Sequence, residues 1–166
     1  MQTFTRRGLT LLRWVPLFFW TSVIFKGSTE TLSAPRTSRI LEPFLRWLIP
    51  SIDAEMIAFA HMLARKGGHV AAYAVLAGFW WLALGTLSRC TLERLTRWTL
   101  LLTLLYAAAD EFHQSFYASR GPAVADVGLD FLGATLAVCG IRLVLKWRSG
   151  RLAKAALPTM TALERF

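Results

Sequence analysis

Residues 70–87 run for eighteen positions without a single charge. A helix needs about 20 predominantly apolar residues to cross a bilayer core, so this stretch largely decides what solvent the chain folds in. Three further apolar stretches accompany it: 9–25, interrupted by Arg13 and Pro16; 98–109, which runs straight into Asp110-Glu111; and 127–141, broken by Asp130. Only 17% of the 166 residues are charged, against about a quarter in a soluble domain. Hydrophobic residues make up 55%, which excludes intrinsic disorder as well. The expectation is an all-α integral membrane bundle of four transmembrane helices over residues 1–148, followed by a basic, frayed cytoplasmic tail at 149–166.

The first stretch follows Thr5-Arg6-Arg7-Gly8-Leu9, a faint likeness to a twin-arginine signal. No small-residue cleavage site follows promptly, so it is read as an uncleaved first span. Between spans one and two, Leu41, Phe44, Leu45 and Leu48 recur at helical spacing, as do Met56, Phe59, Ala60 and Leu63, with Pro43 and Pro50 as punctuation. These predict one or two short amphipathic helices on the membrane surface, or a cap packed on the spans. Trp14, Phe18, Phe19, Trp20, Trp80, Trp81 and Trp98 are read as lipid-facing surface or interface anchors. Cys90 and Cys139 are two unpaired thiols, and no Cys/His spacing resembles a zinc site.

Net charge is +9, and its distribution carries the information. With four spans, the termini and the 88–97 loop share one side. That side holds twelve basic residues against Glu93 and Glu164, while the other holds seven basic and eight acidic ones. The basic excess places both termini in the cytoplasm by the positive-inside rule. Nucleic-acid binding is not expected, because the basic residues are scattered over three segments and form no binding motif.

Counting helical rise from the inner ends, Asp110 lies ~20 Å above Arg97 and Gln114 ~26 Å. Asp130 lies ~18 Å above Arg142, with Asp126 at ~24 Å; Tyr73, His69 and Lys66 lie ~24, ~30 and ~35 Å above Arg89. Three helices thus present polar groups in the outer half of the membrane. Within each helix the spacing fits one face: Lys66, His69 and Tyr73 at i, i+3, i+7; Asp110 and Gln114 at i, i+4; Asp126 and Asp130 at i, i+4. Gly133 and Ala137 allow a neighbouring backbone to approach. An acid at mid-membrane costs at least ~2.5 kcal/mol, so these groups should face inward and pair, with Lys66, His69 and Arg120 as the available cations. Arg120 could cap the layer or clamp an anion, and His113 is offset from the Glu111 side. The alternative is structural glue, polar side chains that only tie helices together.

At these positions the chain resembles the VanZ-like family, small bacterial membrane proteins named after a component of a glycopeptide-resistance cluster. The residues that carry the resemblance are Arg65-Lys66-Gly67-Gly68-His69-Val70-Ala71-Ala72-Tyr73, Asp110-Glu111-Phe112-His113-Gln114, Arg120, Asp126, Asp130 and Gly133. Asp130 stands where many relatives carry Asn, which makes the layer more acidic. The resemblance implies a multi-pass protein of the bacterial cytoplasmic (inner) membrane with an envelope role like that of teicoplanin-resistance proteins. It supplies no catalytic mechanism. The candidate site is therefore Lys66, His69, Tyr73, Asp110, Glu111, Gln114, Arg120, Asp126 and Asp130, with no cofactor and no metal expected.

Three functions compete. The first is an outer-leaflet pocket that binds or modulates an amphiphile: a membrane lipid, a lipid-linked precursor or a lipoglycopeptide. The second is a membrane-embedded enzyme in which the acids and His69 do acid/base work or hold a hard divalent cation; no nucleophile motif or HExxH supports it. The third is a proton-coupled carrier, which would need oligomerisation to complete a path; a homo-oligomer stays open.

Overall fold

The element that organises the fold begins at Asp53. Its side chain accepts a hydrogen bond from the Met56 N–H at 2.7 Å and closes the first turn of a helix that runs to Leu84. The computed structural model describes residues 10–29, 34–87, 90–117 and 123–163. Among these residues a helical turn at 10–12 precedes α1 (Val15–Gly27), α2 (Ala34–Leu48), α3 (Ala54–Leu84), α4 (Leu92–Gln114) and α5 (Val124–Leu163), and no strand occurs. The all-α expectation holds.

Two of these helices, α3 and the Val124–Leu152 part of α5, are long and apolar enough to cross a membrane. The 31 residues of α3 measure ~46 Å at the usual helical rise, well beyond a hydrocarbon core of ~30 Å. It starts at Ala54 rather than near Val70, because Arg65, Lys66 and the Gly67-Gly68 pair interrupt the apolar run without interrupting the helix. Met56, Phe59, Ala60 and Leu63 therefore belong to α3, and only the first amphipathic group forms a separate helix, α2. At the N-terminal end, Arg13 and Trp14 form a turn, and Pro16 sits in the first turn of α1, where its missing N–H costs nothing. At the other end α5 continues through Leu163, so residues 149–163 extend the helix.

Packing centres on α3, which touches each of the other four helices. One face joins Tyr73, Leu76 and Ala83 to Leu17 and Ile24 of α1 and Ala107 of α4. The other joins Ala77, Trp81 and Leu84 to Leu95 of α4 and to Ala134 and Val138 of α5. Tyr73 bonds Asp110 while Leu84 meets Leu95, so α3 and α4 are antiparallel. Arg65 bonds Asp126 and His69 bonds Asp130, so α3 and α5 run in the same direction.

Polar and apolar groups are distributed as a lipid surround requires. Thr99, Thr103, Asp110, Gln114, Asp126 and Asp130 are buried, whereas Phe18, Phe19, Trp98, Leu105, Leu136 and Leu143 are exposed. Not every tryptophan is an anchor. Trp81 is buried, Trp14 and Trp80 pack edge to face with centroids 6.4 Å apart, and Trp20 donates its indole N–H to the Ala72 carbonyl at 2.9 Å. Trp14, Trp20 and Trp80 hold α1 and the turn before it against α3, while Trp81 packs toward α4 and α5. Cys90 and Cys139 are free thiols.

Candidate functional site

Arg65, His69 and Tyr73 lie one turn apart along α3, and each donates to a different aspartate. The Arg65 guanidinium meets Asp126 Oδ2 at 3.1 Å, the His69 Nδ1–H meets Asp130 Oδ1 at 3.0 Å, and the Tyr73 hydroxyl meets Asp110 Oδ2 at 3.0 Å. Because a carboxylate only accepts, the proton on His69 belongs on Nδ1. The first two rungs bind α3 to α5, and the third binds it to α4.

Between the rungs the helices nearly touch. A Cβ on Gly133 of α5 would land on the Val70 carbonyl oxygen and within 2.9 Å of its carbonyl carbon. Only glycine permits this crossing.

The Asp110 rung is unevenly satisfied. Oδ2 accepts from both Tyr73 and the Gln114 amide N–H, the latter at 3.1 Å, while Oδ1 meets no donor among the described residues. The Gln114 amide must turn its nitrogen to the carboxylate, which leaves its carbonyl oxygen likewise without a donor. Asp110 is 6% exposed and Gln114 1%, so bulk water does not reach these atoms freely.

The side chains of Asp110 and Gln114 line a partly open cavity of about 510 Å³ bounded by α1, α2, α3 and α4. Its α1 and α2 wall is largely apolar, with Trp20, Val23, Ile24 and Leu41. Its α3 and α4 wall carries the polar side chains His61, Arg65, His69, Tyr73, Asp110 and Gln114 among the apolar Met62, Ala64 and Ala72. His61 to Tyr73 spans twelve residues, or ~18 Å of helix. A second, apolar groove of about 620 Å³ lies between α4 and α5, with Glu111 at its edge.

Residues 9–145 match the family described as VanZ/LLP1. The chain belongs to the VanZ/LLP1 family. No curated protein and no solved structure matches it.

Within this VanZ/LLP1 chain, His69, Tyr73, Asp110, Gln114, Asp126 and Asp130 come together as the spacing predicted. Lys66 does not join them: it is exposed and stands off the cavity, and its neighbour Arg65 takes the place beside Asp126. Glu111 does not line this cavity either. Its carboxylate accepts from the Ala123 N–H, tying the end of α4 to the start of α5, where the helix dipole favours a negative charge. His113 stacks on Phe25 of α1 with ring centroids 4.2 Å apart, clear of the aspartates. Arg120 lies outside the described residues. Sequence spacing left out His61 and Arg65, although both continue the i, i+4 stripe of His69 and Tyr73. Among the described residues no three of His, Cys, Asp and Glu converge as a metal site would require.

Proposed function

We propose that this VanZ/LLP1 protein is a four-span protein of the bacterial cytoplasmic membrane that holds an amphiphilic envelope molecule in the α1–α4 cavity. α1, α3, α4 and α5 are the crossing segments, both termini are cytoplasmic, and α2 lies along the outer surface. Family membership fits an envelope protein of the teicoplanin-resistance type. The alternating directions of α3, α4 and α5, and the basic excess on the side of the 88–97 loop, support the orientation.

The observation that carries the binding reading is the two-sided cavity. Its volume falls in the range of about 300–1,000 Å³ typical of small-molecule sites. A mostly apolar lining with its polar side chains gathered on the α3 and α4 side matches a long apolar molecule that carries one polar group. His69, Tyr73, Asp110 and Gln114 are the residues proposed to contact it, with Asp126 and Asp130 fixing the α3 side chains in place. The enzyme and carrier readings draw less support, because each aspartate is engaged by its own α3 partner rather than gathered into one cluster.

Gly68 lines the cavity, and a Cβ there meets nothing within 4 Å. Gly68→Phe should therefore fill the space and leave the helix intact. Native mass spectrometry of the detergent-solubilised parent with added lysophospholipids should show one retained lipid per chain, and the variant none. Equal retention by parent and variant would refute the proposal.

A further inference from the structure

We infer that the polar group of the bound amphiphile is a primary ammonium, received by Asp110 and Gln114. This deepens the cavity reading above and rests on it. Among the described residues, two buried oxygens on side chains that line the cavity lack a hydrogen-bond donor, Asp110 Oδ1 and Gln114 Oε1, and they stand one helical turn apart. Both are acceptors only, so a phosphate or carboxylate placed there would set oxygen against oxygen. What they require is a group rich in N–H or O–H donors.

Charge separates these two donor types. The cavity wall carries a carboxylate on Asp110 whose bonds, among the described residues, come from the neutral Tyr73 hydroxyl and the neutral Gln114 amide. Arg65 and His69 are already bonded to Asp126 and Asp130. A buried carboxylate without a cation is costly, and an ammonium removes that cost while supplying three N–H donors. A hydroxyl would offer one donor and no charge. Trp20 lines the same space and is pinned by its bond to Ala72, and an indole is the aromatic side chain best suited to a cation. The ammonium could belong to an aminophospholipid headgroup or to a simple long-chain alkylamine; the chemistry is shared.

The test is competition on the purified full chain in detergent, with one lysophospholipid displaced by others of equal acyl length. The competing heads are ethanolamine (charge and N–H donors), choline (charge without donors) and glycerol (hydroxyl donors without a cation); dodecylamine separates a free amine from a headgroup. Ethanolamine should compete about tenfold or more better than choline and glycerol, the scale of one hydrogen bond to a charged group. Asp110→Asn should abolish that preference, and Gln114→Met should reduce it. If dodecylamine competes as well as ethanolamine does, the amine alone is recognised; if it fails, a headgroup is required. Equal competition by all heads, or a preference for glycerol, would overturn the ammonium assignment while leaving the cavity as an amphiphile site. Absence of any saturable binding that Gly68→Phe removes would overturn both. The competition on the parent protein decides by itself, should either variant fail to fold.

Discussion

Replacing Gly133 with alanine adds one methyl group to a helix whose neighbour leaves no room for it. The new Cβ would fall on the Val70 carbonyl oxygen, 2.9 Å from its carbonyl carbon and 3.0 Å from its Cα. All three are backbone atoms, so no side chain can rotate aside and α3 must move away from α5. Carbon atoms pack at about 3.5–4.0 Å, which demands a separation of about 1 Å. The neighbouring His69–Asp130 bond, 3.0 Å long, would then stretch to roughly 4 Å, outside hydrogen-bonding range. Asp130, only 1% exposed, would lose its donor. Overpacking costs about 1–3 kcal/mol and an unpaired buried acceptor about as much again, so the expected loss is about 3 kcal/mol. Helix propensity pulls the other way, since alanine is favoured over glycine by up to ~1 kcal/mol. Gly128→Ala and Gly140→Ala isolate that opposite effect, because a Cβ at either position on the same helix meets nothing within 4 Å. Unfolding in mixed SDS–detergent micelles, followed by far-ultraviolet circular dichroism, should rank Gly133→Ala well below the parent and the two controls at or above it. A Gly133→Ala protein as stable as Gly128→Ala would refute the close crossing.

Two other outcomes follow from the rungs and the orientation. Arg65→Ala should destabilise by up to ~1 kcal/mol, limited by the 40% exposure of its side chain, while Lys66→Ala should stay within about 0.5 kcal/mol of the parent in the same unfolding assay. A larger loss at Lys66 would assign the Asp126 rung to the wrong cation. In intact cells, a membrane-impermeant maleimide should label a Ser51→Cys variant and spare Cys90 until the membrane is permeabilised. The opposite pattern would invert the proposed topology.

Much of the site could be read from the chain because membranes make polar residues conspicuous. Asp110, Gln114, Asp126 and Asp130 stood out against apolar surroundings, and their i, i+4 spacing gave the faces that the structure brings together. The choice between Arg65 and Lys66 was not legible. Both are basic, and both i, i+3, i+7 and i, i+4, i+8 describe one face of a helix, so only the crossing with α5 decides which side chain reaches Asp126. The start of α3 was hidden for a related reason: hydropathy follows charge, whereas the helix follows hydrogen bonds and the Asp53 cap. Glu111 looked like another acid of the layer, yet the turn into α5 draws it to the Ala123 N–H. The cavity belongs to no single segment, since Val23, Leu41, His69 and Asp110 come from four different helices. Nothing in local spacing announces such a space.

The three rungs on α3 also act as a phase reference for the bundle. Rotating α3 by a single residue turns its side chains by ~100°, which would withdraw Arg65, His69 and Tyr73 from their aspartates together. Sliding it by one residue relative to α5 would bring Val70's neighbours, rather than its carbonyl, against Gly133. Apolar contacts between Leu, Val and Ala surfaces tolerate many such settings at similar energy, and lipid offers no hydrophobic gradient to choose among them. Unpaired carboxylates in hydrocarbon tolerate none. The same charges that make this chain costly to insert therefore leave its helices one angular and axial setting, so the walls of the cavity are held in place by the residues that line it.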